Sequence, residues 1–547
     1  MITASRPWTA GRAWAATAAL HAFVGGWALL VGELMWDATR APGSTAVAVW
    51  PGGVGVVVLG FAGLALGWAA PGLARACWAV AGLVLLPVGI ATLAAAPGLG
   101  QVRPQGLDPS RMRAVAAIGG AAAIVVALAL LTWLALTLLR RGGRPTSKGV
   151  AVGAAIYATL LLLLATGLVA SLPAVVYQAL RETRRHYPVA APVIAQVGTA
   201  VILAMAGSAL LYHAASAVTG SLSGRANLPR FWPWVLVATA VVAVGAAAAR
   251  SARMQGGALA ALTVPAGLLP GLAFAGLAFV GLRWHRERGP LTWRQMWTAW
   301  AWGAVCATFA AAMIEIAAEF AVFALALSRT HAFALVTNGP GYRGLFEHID
   351  RYLTQREVTG NTLLIYALIG PFVEELTKGF GYPIAVRACA SARDAFGIGV
   401  LVGAGFAAFE GVGYVALAVH GGANQWWSGA LVRAGSTTLH CLATGLVALG
   451  WYGASRGRWW RLPPLFLAAW ALHGAWNGAS VLVGQRVLAP THGLSDVQLE
   501  LLLNIGLGAI AVLNLLLIWA IGARLRSCAP AAAVSQPRSV AGAPGGS

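Results

Sequence analysis

Gly370-Pro-Phe-Val-Glu-Glu-Leu-Thr-Lys378 sets two adjacent carboxylates and a lysine near the middle of an apolar stretch long enough to span a membrane. An ionised group at the bilayer centre costs about 2.5–3.5 kcal/mol on insertion scales, so three in one helix need a compensating use. Lysine is otherwise almost absent: Lys148 and Lys378 are the only two among 37 basic residues. The stretch reads as the start of an active site inside a membrane.

The whole chain supports the membrane reading. Of its 547 residues 59% are hydrophobic and 10% charged, and its mean hydropathy is +0.75. Soluble domains carry about 25% charged residues. The expected fold class is all-α, a polytopic transmembrane helix bundle of about 14 spans at roughly 20 apolar residues each. A formal charge of +21 would suit a nucleic-acid binder. Here, however, the arginines are scattered through short loops between apolar spans, where they orient a membrane protein. Nucleic acid is therefore excluded as a partner, and the lipid bilayer is implied. The five cysteines form no C-x-x-C pair and no zinc spacing, so neither a disulfide framework nor a Cys-ligated metal is expected. The first apolar stretch, near 14–36, has no clear small-residue cleavage site and reads as a retained helix. The Ala/Gly/Arg-rich usage suggests a bacterial chain, hence the inner membrane.

Charge placement divides the chain. With both termini cytoplasmic, Arg140, Arg141, Arg144 and Lys148 fall inside, as do Arg283, Arg286, Arg288 and Arg294. Arg387, Arg393, Arg456, Arg458, Arg461, Arg524 and Arg526 follow the same rule, whereas Arg181, Arg184 and Arg185 land outside. Expected spans before residue 255 hold few ionisable groups (Glu33, His21, His213), and those after it hold many. Three regions are expected: 1–255, a transmembrane region of unassigned function; 256–526, the chemically active domain; and 527–547, a Pro/Ala/Gly/Ser-rich disordered tail. The loop 329–360, with an amphipathic-looking run Leu345–Leu353, is either an interfacial lid or an unconstrained connection.

Depth then selects the site. Glu374 and Glu375, Glu410, His440 and His473 each lie near the middle of a different expected span. At about 1.5 Å per residue they fall within roughly 5 Å of one plane. Glu374/Lys378 are i,i+4 and Glu375/Lys378 are i,i+3, so the lysine can neutralise either carboxylate. His440/Thr444 and His473/Asn477 share helix faces in the same way. Pro371 can kink its helix before the pair and open backbone carbonyls. Gly399, Gly403 and Gly405 thin the helix before Glu410. A lone membrane histidine such as His213 is more often a helix–helix hydrogen-bonding group. Glu315 and Glu319 are expected as charge partners of Arg433 or Lys378. Two carboxylates, two imidazoles and an amide suit hydrolysis: a glutamate takes a proton from water, and a histidine or Asn477 stabilises the oxyanion. The same groups, with Glu375, Glu410, His440 and His473 as candidate ligands, suit one divalent metal such as zinc; a metal-free glutamate mechanism is equally open. His-Glu-x-x-His and Gly-x-Ser-x-Gly are both missing.

At these residues the chain resembles the PrsW family of intramembrane proteases, itself similar to the CAAX prenyl endopeptidase and bacteriocin-immunity superfamily. Four ordered blocks carry the resemblance: Glu374-Glu375-Leu-Thr-Lys378; Asp394 through Gly399 and Gly405 to Phe406-Ala-Ala-Phe-Glu410 and Tyr414; Arg433 with His440-x-x-x-Thr444; and Leu472-His473-Gly-Ala-Trp-Asn477. It spans roughly 260–525. It implies hydrolysis of peptide bonds in a membrane-anchored protein substrate, often an anti-sigma factor. Glu374 and Glu375 would supply the base and its charge partner, His473 a second essential group, and Glu410 and His440 the rest of the pocket. Two features depart from the family pattern: Gly411 follows Glu410 where Asn is common, and Arg286-Glu-Arg-Gly-Pro290 replaces an acidic element. The rival classes are a proton-coupled transporter, which midplane Glu/Lys/His groups also suit, and a non-catalytic immunity or binding protein of the same superfamily.

Overall fold

The computed structural model describes residues 148–183, 190–219, 291–312 (with 314, 315, 318, 319 and 322), 360–380, 382–385, 389–418, 422–484 and 496–527. Apart from short turns and connections these residues are helical, with no β-strand among them. In chain order the helices are α1 (Lys148–Thr183), α2 (Ala190–Val218), α3 (Trp293–Ala301), α4 (Gly370–Gly379), α5 (Tyr382–Ala385), α6 (Ala392–Ala418), α7 (Gly422–Ser455), α8 (Leu462–Gly484) and α9 (Asp496–Ser527). Two π-helical segments adjoin them: Trp302–Ala307 continues α3, and Leu364–Ile369 leads into α4. The expected spans at 14–36, 45–70, 77–97, 114–139, 232–249 and 257–282, the 329–360 loop except its last residue, and the tail beyond 527 lie outside the described residues.

Four of these helices contain stretches long and apolar enough to cross a membrane: Ala151–Pro173, Ala195–Val218, Ala392–Tyr414 and Ile505–Leu525. One of them differs from the rest. In α6, 89% of the most apolar window is buried inside the protein, against 28%, 44% and 17% for the others. Helix α6 is therefore the shaft of the bundle, and Leu163, Tyr212, Ile505 and Leu513 of the other three are exposed on the outer surface, where lipid would meet them. Around α6 pack α7, α3 with its π-segment, and α2. The core runs through Phe396, Leu401, Phe406, Cys441 and Val447.

Local sequence explains where two key helices begin. Thr292 caps α3 through a capping box: its hydroxyl accepts from the Gln295 amide (3.3 Å), and its own amide donates to Gln295 Oε1 (2.9 Å). Asp394 does the equivalent at α6, accepting from the Ala390 and Ser391 amides at 2.9 Å each, while its own amide donates to Ser391 Oγ (3.2 Å). Asp394 of the second sequence block is thus a helix-start device.

Close approach is built from missing side chains. A methyl group placed on Gly403 would run into the backbone carbonyl of His440 on α7, and one on Gly399 would meet the Thr444 carbonyl at 2.6 Å. Gly405, on another face of α6, lies against the Trp300 carbonyl of α3. The thinning expected at these glycines therefore draws two neighbours onto α6, and one of them carries His440.

Candidate active site

Helix α4 presents Glu374, Glu375 and Lys378 to the centre of the bundle. Its start is unusual. The π-segment ends at Ile369, and Pro371 follows at the first turn of α4. Proline has no amide hydrogen to give to the turn before it, which holds the Ala367 carbonyl. Gly474 of α8 packs directly against that carbonyl, and Trp470 Nε1 donates to the neighbouring Leu368 carbonyl at 2.8 Å. The opened carbonyls thus receive α8, and His473 comes with it.

Lys378 is the hub. Fully buried, its Nζ donates to Glu374 Oε2 and Glu375 Oε1 at 2.9 Å each and to His440 Nδ1 at 2.8 Å. The ammonium also sits 3.9 Å from the centre of the Phe406 ring, a cation–π contact. Since Nδ1 of His440 accepts from the lysine, Nε2 carries the proton and donates to Glu410 Oε2 at 2.7 Å. Glu410 in turn pairs with Arg433 (3.1 Å), whose guanidinium stacks over Tyr414 at 4.1 Å.

The second histidine is held differently. His473 Nδ1 donates to Glu375 Oε1 at 3.1 Å, and its Nε2 lies 3.7 Å from Glu374 Oε2. Thr444 donates to Glu375 Oε2 at 3.3 Å. The two imidazoles meet edge to face, 4.7 Å apart.

The structure brings together Glu374, Glu375, Lys378, Glu410, His440 and His473. Asn477 lies one turn beyond His473 on the same helix, half-buried, and makes no hydrogen bond to the cluster among the described residues. Among the described residues Glu315 and Glu319 form no direct ion pair with Lys378 or Arg433, the charge partners expected of them. Lys378 and Arg433 make their ion pairs with Glu374, Glu375 and Glu410. Three carboxylates face two cations, so with neutral imidazoles the cluster keeps one surplus negative charge. Phe406 was legible only as part of a motif; its place under the lysine had no spacing signal, because the contact crosses two helices.

A metal can be tested against these atoms. Glu374, His440 and His473 each offer one donor atom, all within 4.8 Å of one another and all buried. Each imidazole gives its other nitrogen to a carboxylate, Glu410 or Glu375, an arrangement that orients histidine ligands. The surplus negative charge also favours a cation. The donor set therefore fits a divalent ion, with Glu374 among the first ligands and Glu375 and Glu410 behind the histidines.

Comparison with curated proteins and with solved structures found no match. Residues 291–505 match the family model described as PrsW family intramembrane metalloprotease. The match contains all four sequence blocks and every residue of the cluster, and it favours the protease over the transporter. Over residues 291–505 this chain is similar to the PrsW family of intramembrane metalloproteases.

Proposed function

We propose that the chain is an intramembrane endopeptidase in which Glu374 activates water against a peptide bond of a membrane-anchored protein. The observation that carries this reading is the inequality of the two glutamates. Glu375 is fully buried and accepts from Lys378, His473 and Thr444. Glu374 gives one oxygen to Lys378, and its side chain keeps 7% exposure where that of Glu375 keeps none. Its Oε1 accepts no hydrogen bond among the described residues. A general base needs such a free oxygen within reach of water.

The residues then divide the work. Glu374 takes a proton from water as the water oxygen adds to the substrate carbonyl carbon, and returns it to the amine as the C–N bond breaks. Lys378 orients the base through the 2.9 Å ion pair to its Oε2. Glu375 fixes His473, and the Arg433–Glu410 pair fixes His440. Asn477, whose amide is a donor, is placed to meet the oxyanion next to His473. A divalent ion such as zinc held by Glu374, His440 and His473 would polarise the carbonyl and acidify its bound water.

The substrate class follows from the site's setting. Helices of this apolar character belong to a bilayer, and a cluster buried among them reaches a peptide bond only if the substrate enters from the membrane. An anti-sigma factor is the kind of substrate the family resemblance implies, and the bacterial inner membrane, with both termini inside, is the proposed location. The test compares membrane proteomes of cells carrying wild type and Glu374→Gln. A single-pass protein that persists only with the variant supports the reading. Identical processing in both strains overturns it.

A further inference from the structure

Glu315 and Glu319 lie outside the cluster just described, yet both carry carboxylates into the same part of the bundle. Tyr366, in the π-segment before α4, donates its hydroxyl to Glu319 Oε1 at 3.2 Å. Four residues further along, a methyl group placed on Gly370 would come 3.7 Å from Glu315 Oε1. Four more residues reach Glu374. One seam therefore carries a polar row: Glu319 with Tyr366, Glu315 against Gly370, then Glu374.

The row has a length and a loose end. Eight residues separate Tyr366 from Glu374, about 12 Å along a helix. Half the hydrocarbon thickness of a bilayer is about 15 Å. With Glu374 near midplane, Tyr366 comes close to one membrane surface, and its side chain is 38% exposed. In between, Glu315 Oε1 is buried and has no hydrogen-bond partner among the described residues. Such an oxygen in a membrane interior requires a partner. The two cations near the cluster are already paired with Glu374, Glu375 and Glu410. Gly370 keeps side-chain bulk away from it. The molecule that small and that polar is water, and each hydrolytic turnover consumes one: its oxygen joins the carbonyl carbon and its protons go to the two products.

We infer that Glu315, Glu319 and Tyr366 line a water path along this seam, leading from one membrane surface to Glu374. The inference rests on the hydrolytic reading for its purpose, but water entry can be measured without any cleavage.

Glu315→Cys, in membranes, is exposed to a water-soluble methanethiosulfonate and read by peptide mass spectrometry. Leu472→Cys, on the outer surface beside His473, is the lipid-side control, and native Cys306, buried in the π-segment after α3, is the packing control. Labelling at 315 with both controls silent supports the path. Silence at 315, or labelling at Cys306 as well, overturns it and leaves the hydrolytic reading untouched. A second measurement avoids the cysteine. Glu315→Leu is expected to lower kcat at least tenfold at unchanged KM, and Glu315→Gln, which still binds water, to recover most of that loss. Equal activity of Glu315→Leu and wild type overturns the path, whereas a labelled 315 in a chain that cleaves nothing removes only the protease reading.

Discussion

The ammonium of Lys378 lies 2.8 Å from Nδ1 of His440, 62 positions away in sequence, while holding both glutamates of its own helix. One cation thus joins the two carboxylates to an imidazole on another helix. Removing one partner of a buried ion pair costs about 3–5 kcal/mol, because the other charge stays buried. Lys378→Met should therefore lower the unfolding temperature sharply and abolish cleavage. Thermal unfolding in detergent and a cleavage assay read both effects, and a stable, active variant would remove the lysine from the hub.

The same contact bears on metal binding. Lys378 Nζ touches donor atoms of Glu374 and His440, two of the three residues able to hold a divalent ion. An ion binding there has to displace the ammonium, so the folded fraction of Lys378→Met should bind zinc at least tenfold more tightly than wild type. Titration calorimetry on purified protein checks this. Equal affinities would place the ion away from these donors.

Glu374 and Glu375 are adjacent, yet their substitutions should separate. Glu374→Gln keeps the Lys378–Glu375 pair and should cost about 10²–10⁴-fold in rate with little loss of stability. Glu375→Gln disturbs the acceptor for Lys378, His473 and Thr444, and should destabilise as well as inactivate. Comparing unfolding temperatures with initial rates separates the two; equal destabilisation would refute the division of roles.

Gly403 is where α6 and α7 touch. Gly403→Val pushes into the His440 carbonyl, and overpacking of this kind costs about 1–3 kcal/mol. His440 should move off Lys378 and activity should fall, with Gly403→Ala intermediate. An unfolding series with matched rates tests the order Gly, Ala, Val.

Arg433 couples Glu410 to Tyr414. Arg433→Lys keeps the charge but loses the planar stack on the ring, worth about 0.5–2 kcal/mol. The expected result is modest destabilisation with reduced cleavage, read by the same two assays; wild-type stability would show that the stack contributes nothing.

Composition alone determined that this chain belongs in a membrane, because so apolar a sequence with so few charges has no soluble fold to adopt. Spacing determined the contacts within one helix: Glu374 and Glu375 to Lys378 follow from 3.6 residues per turn. Matching depth brought Glu410, His440 and His473 to the same level, since charge in hydrocarbon is tolerated only where it can be shared. Helix periodicity says nothing about which partner lies across a seam. That Glu410 takes Arg433 and His440, that Phe406 lies under the lysine, and that Glu315 faces Gly370 rather than a cation were decided by packing. Those choices depend on which glycines let α6 meet α7 and α3, and on a proline whose missing amide opens α4 to α8. The stretch Gly370–Lys378 announced a charged site; only the tertiary structure distinguished its half-free glutamate from the one held on every side.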